Sequence, residues 1–332
     1  MDGIYQISLD TGVTLDFVVQ DIARLQDLHH KVILIGLSGA ITNRSSKKAP
    51  FFSGLEIARA LKLPIVSISD PTLNMDGDLG LSWYAGNQRD PQFPAAIASI
   101  LDGVSRIHNS ELLMFGGSGG GYAALLLSTL LSCTATTLVW NPQTDISDYV
   151  AESVVHYIRV GFPSLAAKAL GILSAPPGAR AQQLRALLRD AGIRNDLRAR
   201  QIGEKIHLLY LQNRSDWHVR RHALPYLLTH SWRRAGEAIF VEASKAQIAA
   251  YFGDWGDGHA VPPKAMLQEV LARLARGDTV STVAQSLDTG LNGLITPAEH
   301  FSWPSDSPPV AIETATSRTS NAKVDSAVVR DA

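Results

Sequence analysis

The chain has 332 residues, 45% of them hydrophobic and 18% charged, the balance of a globular protein with a sizeable core. A formal net charge of -1 argues against a nucleic-acid binder, and a single cysteine, Cys133, excludes an internal disulfide framework and fits a reducing compartment. The opening MDGIYQISLD has neither a basic nor an apolar leader segment, and the longest apolar stretch, 125–131, is far too short to span a membrane, so a soluble cytoplasmic protein is expected.

Residues 4–9 and 14–19 are β-prone runs around Asp10-Thr11-Gly12, which predicts a hairpin. The run 31–37, KVILIGL, is apolar throughout, as a parallel strand buried on both faces must be. After Ser38-Gly39-Ala40 and a polar loop, helical spacing covers 54–62, and Pro64 opens another strand ending at Asp70-Pro71. A long loop from 72 to 91 carries Trp83 and Tyr84, then a helix is predicted over 93–107, a strand from 111, a helix over 120–131 and a strand over 136–140. The segment 142–205 is read as helices only, with an arginine-rich run from 180 to 200. Strands are predicted again at 206–211 and 237–242, with a helix over 219–230 between them. A loop over 251–263 and an amphipathic helix over 264–276 follow.

Alternating strands and helices predict an α/β fold with a mostly parallel, doubly wound sheet. The core is assigned to 1–141 and 206–276, a helical cap insertion to 142–205, and a weakly structured to disordered tail to 277–332.

The stretch ELLMFGGSGGGYAALLL, residues 111–127, carries the densest chemical signal. Gly116-Gly117-Ser118-Gly119-Gly120 has the G-x-S-x-G form of a nucleophile elbow, in which a strand turns sharply into a helix and holds a serine in a strained conformation. The same glycines loosely match a dinucleotide fingerprint. However, the next strand ends in Trp140-Asn141 with no acid placed for a ribose, and no Lys-Ser or Lys-Thr follows to make a P-loop. No cofactor is therefore expected, and no His or Cys spacing indicates a metal.

With these motifs the chain resembles the α/β-hydrolases, whose catalytic residues run in the order Ser, acid, His. The resemblance implies a serine hydrolase with Ser118 as nucleophile. It places the acid at Asp216, in the loop after strand 206–211, and the base at His259, in the loop before the last helix. It implies an oxyanion hole from the N–H of Gly119 and a second donor at Ser38 or Gly39, although Leu37-Ser38-Gly39-Ala40 lacks the His-Gly-Gly-Gly pattern of lipases. Asp145 is a second candidate acid, and Asp216 could instead cap the following helix. His218 competes with His259, but it adjoins Asp216 along the chain and is expected to aim elsewhere.

For the substrate, Trp83, Tyr84 and Trp217 sit at or past strand ends, where aromatic faces could hold a sugar or an acyl chain. Arg44, with Arg214, Arg220 and Arg221, could form a positive wall; Arg180, Arg185 and Arg189 are read as a solvated helix face. The phrases Trp140-Asn141-Pro142-Gln143 and Ser215-Asp216-Trp217-His218-Val219 are similar to hydrolase-like proteins associated with bacterial capsule and surface-polysaccharide biosynthesis. That similarity implies a small-molecule or glycan ester substrate. Acyl transfer by the same three residues and a non-catalytic scaffold role are the alternatives, and the oligomeric state is left open.

Overall fold

The computed structural model describes residues 2–198, 200, 202–229, 231–242 and 247–303. Strands β1 (Gly3–Ser8) and β2 (Thr14–Gln20) form the antiparallel hairpin at one edge of a ten-stranded sheet. Next come β3 (Val32–Leu37), α1 (Leu55–Leu61), β4 (Ile65–Ile68), α2 (Phe93–His108), β5 (Glu111–Gly117), α3 (Gly119–Ser128) and β6 (Ala135–Trp140). Three helices, α4 (Ala151–Gly161), α5 (Ala166–Ile172) and α6 (Pro177–Asp190), lie between β6 and β7 (Ile206–Asn213). A π-helical turn at Val219–Ala223 runs into the short α7 (Leu224–Leu227), followed by β8 (Trp232–Arg234), β9 (Ile239–Glu242), β10 (Ile248–Gly253), α8 (Lys264–Ala275) and α9 (Val280–Asp288).

The strand order is β1-β2-β4-β3-β5-β6-β7-β10-β9-β8. Its six central strands, β4 to β10, are mutually parallel, and the antiparallel pairs sit at the two edges. This is the mostly parallel α/β sheet expected from the sequence. All six residues of β3 are buried, and α3 is buried on every side, so neither tolerates a polar face. By contrast, α2 buries one stripe, Phe93, Ile97, Leu101 and Ser105, and ends at Asn109 in the left-handed conformation that closes a helix.

Three expectations are corrected. The predicted loop from 251 begins inside β10, which pairs with β7 and β9 and brings the Asp254–Pro263 segment to the same sheet edge as the serine turn. The helix expected over 219–230 is shorter and starts as a π turn; His230 lies outside the described residues. The weak structure expected from 277 does not hold up to 303. There α9 buries Val280, Val283, Ala284 and Leu287, and the Phe301 ring stacks on Phe252 at 4.1 Å between centroids. The rest of that tail, 304–332, lies outside the described residues.

Candidate active site

Ser118 sits between β5 and α3 with φ 53° and ψ -119°, a backbone conformation that a side chain avoids at a cost of about 1–3 kcal/mol. The surrounding bonds enforce it. Ser118 N–H donates to Trp140 O at 3.0 Å, while Ser118 O accepts from Tyr122 N–H at 3.0 Å and Gln143 N–H at 3.3 Å. The turn needs its glycines because a Cβ on Gly116 would lie 2.5 Å from Gly120 O, and one on Gly120 would lie 2.5 Å from Leu37 O. Helix α3 can therefore press against both the strand it leaves and the end of β3. Gly119, as the first residue of α3, has an N–H without a partner inside the helix.

Asp216 lies just past β7 and His259 in the loop after β10, its neighbour in the sheet. His259 Nδ1 is 2.6 Å from Asp216 Oδ2. A carboxylate only accepts, so Nδ1 carries the proton and Nε2 keeps its lone pair. The other carboxylate oxygen, Oδ1, accepts from the backbone N–H of His218 at 3.0 Å. Asp216 therefore does not cap the helix: Oδ1 closes a turn onto His218, the residue before Val219, while Oδ2 pairs with His259. Burial alone would raise the Asp216 pKa. Hydrogen bonds from His218 and His259 outweigh it and hold the carboxyl well below its usual range.

His218 does not aim elsewhere. The turn after Asp216 folds it back, so that Nδ1 is 3.4 Å from Asp216 Oδ2 and 3.1 Å from Asn141 O, and its ring lies edge-on to His259 at 4.2 Å. Burial lowers its pKa, so it stays neutral beside His259. Ligand atoms of Asp216, His218 and His259 all fall within 4.8 Å of one another, close enough to share a metal ion. His218 Nδ1–H is spent on Asn141 O, and His259 Nδ1 and Asp216 Oδ2 are spent on each other at 2.6 Å, so hydrogen bonding accounts for this closeness.

The segment after β6 ties the serine to this pair. Asn141 Nδ2 donates to Ala260 O at 2.7 Å, next to His259, and its Oδ1 accepts from Asn213 N–H at 2.7 Å. Two residues on, Gln143 donates from Nε2 to Ser118 Oγ at 2.8 Å. Among the described residues that is the hydrogen bond on Ser118 Oγ, and none joins it to His259; such bonds commonly tighten only when substrate binds. Sequence reasoning gave Gln143 no role. The signals were its presence in the Trp140–Gln143 phrase and its place just past β6, the strand beside β5.

Several other predicted residues are committed elsewhere. Ser38 donates its backbone N–H to Tyr84 Oη at 3.0 Å, and its hydroxyl pairs with Ser53 Oγ at 2.8 Å. Gly39, by contrast, packs on the turn, where a Cβ would lie 3.0 Å from Gly117 O, and its N–H makes no hydrogen bond among the described residues. Arg44 is buried, its guanidinium spent on the carbonyls of Leu79, Lys47, Leu73 and Asp76. Arg214 reaches away to Glu299 and Arg221 covers Trp217, so Arg44 and Arg214 give the cleft no positive wall. Asp145 belongs to an ion cluster with Arg185 and Arg198, so Arg185 is not on a solvated face. Trp83 and Tyr84 are each 1% exposed and offer no ring face to a ligand, whereas Trp217 is 39% exposed and stacks on Tyr149 at 5.8 Å.

A parallel sheet flanked by helices, with a strained serine at the β5–α3 turn and an Asp–His pair on neighbouring strand ends, defines an α/β-hydrolase fold. Solved structures resemble it at low identity. The capsule O-acetyltransferase of Neisseria meningitidis serogroup A aligns with a TM-score of 0.50 at 13% identity, over 82% of this chain and 95% of that one. The S-formylglutathione hydrolase of Agrobacterium tumefaciens gives 0.45 and 13%, over 84% and 95%. The Glycosylation Associate Protein (Gap123) complex of Streptococcus agalactiae gives 0.47 and 15%, over 86% of this chain but only 46% of that one, so this chain spans less than half its length. No protein-family model matches the sequence, and no curated protein matches it. Among the described residues no helix is long and apolar enough to cross a membrane.

Proposed function

We propose that the chain is a serine enzyme acting on a carboxylic ester through an acyl-enzyme, with Ser118, His259 and Asp216 as nucleophile, base and orienting acid. The observation that carries this reading is the 2.6 Å Asp216–His259 bond, which leaves Nε2 of a half-exposed imidazole free to take a proton. Ser118 Oγ attacks the ester carbonyl carbon, its proton passes to His259 Nε2, and the carbonyl electron pair moves onto oxygen. The imidazolium then protonates the leaving alkoxide, and a water or a sugar hydroxyl releases the acyl group by the reverse sequence. General-base help of this kind is worth about 10²–10⁴-fold.

The substrate class in this reading is an acylated sugar or glycan, with the partly exposed Trp217 as an aromatic contact. A meningococcal protein of the same fold is named a capsule O-acetyltransferase, so acyl transfer to a glycan hydroxyl belongs with hydrolysis as an outcome. A scaffold role without turnover draws on the missing hydrogen bond between Ser118 and His259. Labelling with a fluorophosphonate probe separates the two. The wild type should be labelled and Ser118→Ala should not; a folded, monodisperse wild type that is never labelled ends the nucleophile reading. Product analysis with and without sugar acceptors then divides transfer from hydrolysis.

A further inference from the structure

Gln143 is fully buried, and its carboxamide has a fixed orientation. Trp83 Nε1 lies 2.8 Å from Gln143 Oε1. An indole nitrogen can only donate, so the amide oxygen must face Trp83 and the amide nitrogen must face Ser118 Oγ, 2.8 Å away. The amide is thus a donor aimed at the nucleophile's oxygen. It also lies alongside Gly119, where a Cβ would be 3.4 Å from Gln143 Oε1 and would run into Leu81 Cδ1. The Gln143 carboxamide thus stands beside both Ser118 Oγ and Gly119, the residue whose N–H opens α3.

The surroundings are built to keep Trp83 on that amide. Trp83 and Tyr84 both have left-handed backbones, φ 57° and 54°, which bulky residues rarely adopt. Asp70 holds the strained pair by accepting Tyr84 N–H, and Tyr84 Oη is fixed between Ile68 O and Ser38 N–H. Strain concentrated in two consecutive aromatic residues, one ending on Gln143, is the mark of a constrained functional group. That same network consumes the Ser38 N–H, one of the two candidates, with Gly39, for the donor expected from the β3 loop.

We infer that the Gln143 side-chain amide is an oxyanion donor, acting with the Gly119 N–H. This rests on the reading of Ser118 as the nucleophile. In the resting arrangement Ser118 Oγ occupies the acceptor's place on Gln143 instead of bonding to His259. When Oγ turns towards His259 Nε2 to give up its proton, the buried amide N–H loses its partner. The substrate's carbonyl oxygen then takes that place, and its charge grows as the tetrahedral intermediate forms. The bond to Gln143 is accordingly strongest in the transition state, which is what raises kcat rather than binding.

The test compares full-length wild type, Gln143→Met, Gln143→Glu and Trp83→Phe, each checked for fold by circular dichroism and thermal melting. Steady-state kinetics use a short-chain nitrophenyl ester, and a trifluoromethyl ketone serves as the oxyanion-forming inhibitor. Gln143→Met should lower kcat by about 10²–10³-fold with KM little changed, and weaken the inhibitor by a similar factor. Gln143→Glu keeps the acceptor for Trp83 and puts an anion where the donor was, so it should lose at least as much. Trp83→Phe frees the amide to flip and should lose about ten-fold. Wild-type kcat and inhibitor affinity in a folded Gln143→Met overturn the assignment. So does a loss in both Gln143 variants that follows melting temperature and raises KM in step, because that is a structural role. A wild type that neither turns over the ester nor is labelled at Ser118 sinks the nucleophile reading itself, and the Gln143 role with it.

Discussion

Two carboxylates lie just past neighbouring strands of the sheet, Asp145 after β6 and Asp216 after β7, and both are fully buried. Asp145 Oδ2 meets Arg185 Nη2 at 2.7 Å and Arg198 Nη2 at 2.8 Å, while its Oδ1 accepts from the Ser147 backbone and hydroxyl. Asp216 has two imidazoles in place of the arginines, one buried and one reaching solvent. Guanidinium groups never give up their protons, so the Asp145 cluster is a fixed tie between α6, the 194–198 segment and the core. An imidazole can take a proton and pass it on, so the Asp216 pair can take part in chemistry. Burial and position after a strand do not separate the two aspartates. The kind of partner does.

Substituting each in turn is the direct way to break this comparison. Asp216→Asn should leave the fold intact and lower kcat by about 10⁴-fold, because the amide no longer fixes the His259 tautomer. Ester turnover measured beside circular dichroism checks this, and near-wild-type kcat would remove Asp216 from the mechanism. Asp145→Asn should do the reverse, with kcat per folded molecule retained and stability lowered by about 3 kcal/mol. That is the low end for a broken buried ion pair, since Arg185 and Arg198 keep some contact with water. Urea unfolding gives the number, and an unchanged midpoint would show the cluster to be ornamental.

Asp70 sharpens the contrast as a buried carboxylate with neither arginine nor imidazole. Burial pushes its pKa up to about 6, against the hydrogen bonds from the N–H groups of Tyr84 and Thr72. The folded state therefore binds the Asp70 proton more tightly than the unfolded state. Its share of stability is complete below about pH 4 and is lost as pH rises to about 6. Asp70→Asn does not titrate, so its stability relative to wild type should rise by about 2–3 kcal/mol between pH 4 and pH 7. Paired urea melts at the two pH values test this, and parallel behaviour of the two proteins would refute it. The smallest effect is expected at His218. In His218→Phe, Asp216 loses one of the bonds that keep it ionised, so kcat should fall about five-fold, the worth of about 1 kcal/mol. Ester kinetics measure it, and an unchanged kcat would leave His218 as packing alone.

What the sequence could carry was local. The unbroken apolar run of β3 and the switch from strand to glycines to helix at Ser118 announce a buried parallel sheet and a sharp turn, because periodicity and turn chemistry act over a few residues. Strand β10 escaped notice because IAAYFG holds two alanines and a glycine, poor strand formers that are at home only once β7 and β9 lie on either side. Ser118, Asp216 and His259 could be singled out one by one from strand-end position and chain order. Partnership could not. That Trp83 fixes Gln143 from 60 residues away, that Arg44 and Arg185 are spent inside the protein, and that His218 folds back beside Asp216 and His259 are facts of side-chain hydrogen bonding between distant segments. Residue type says what a side chain can donate or accept. Only the packed tertiary structure decides which of its possible partners arrives.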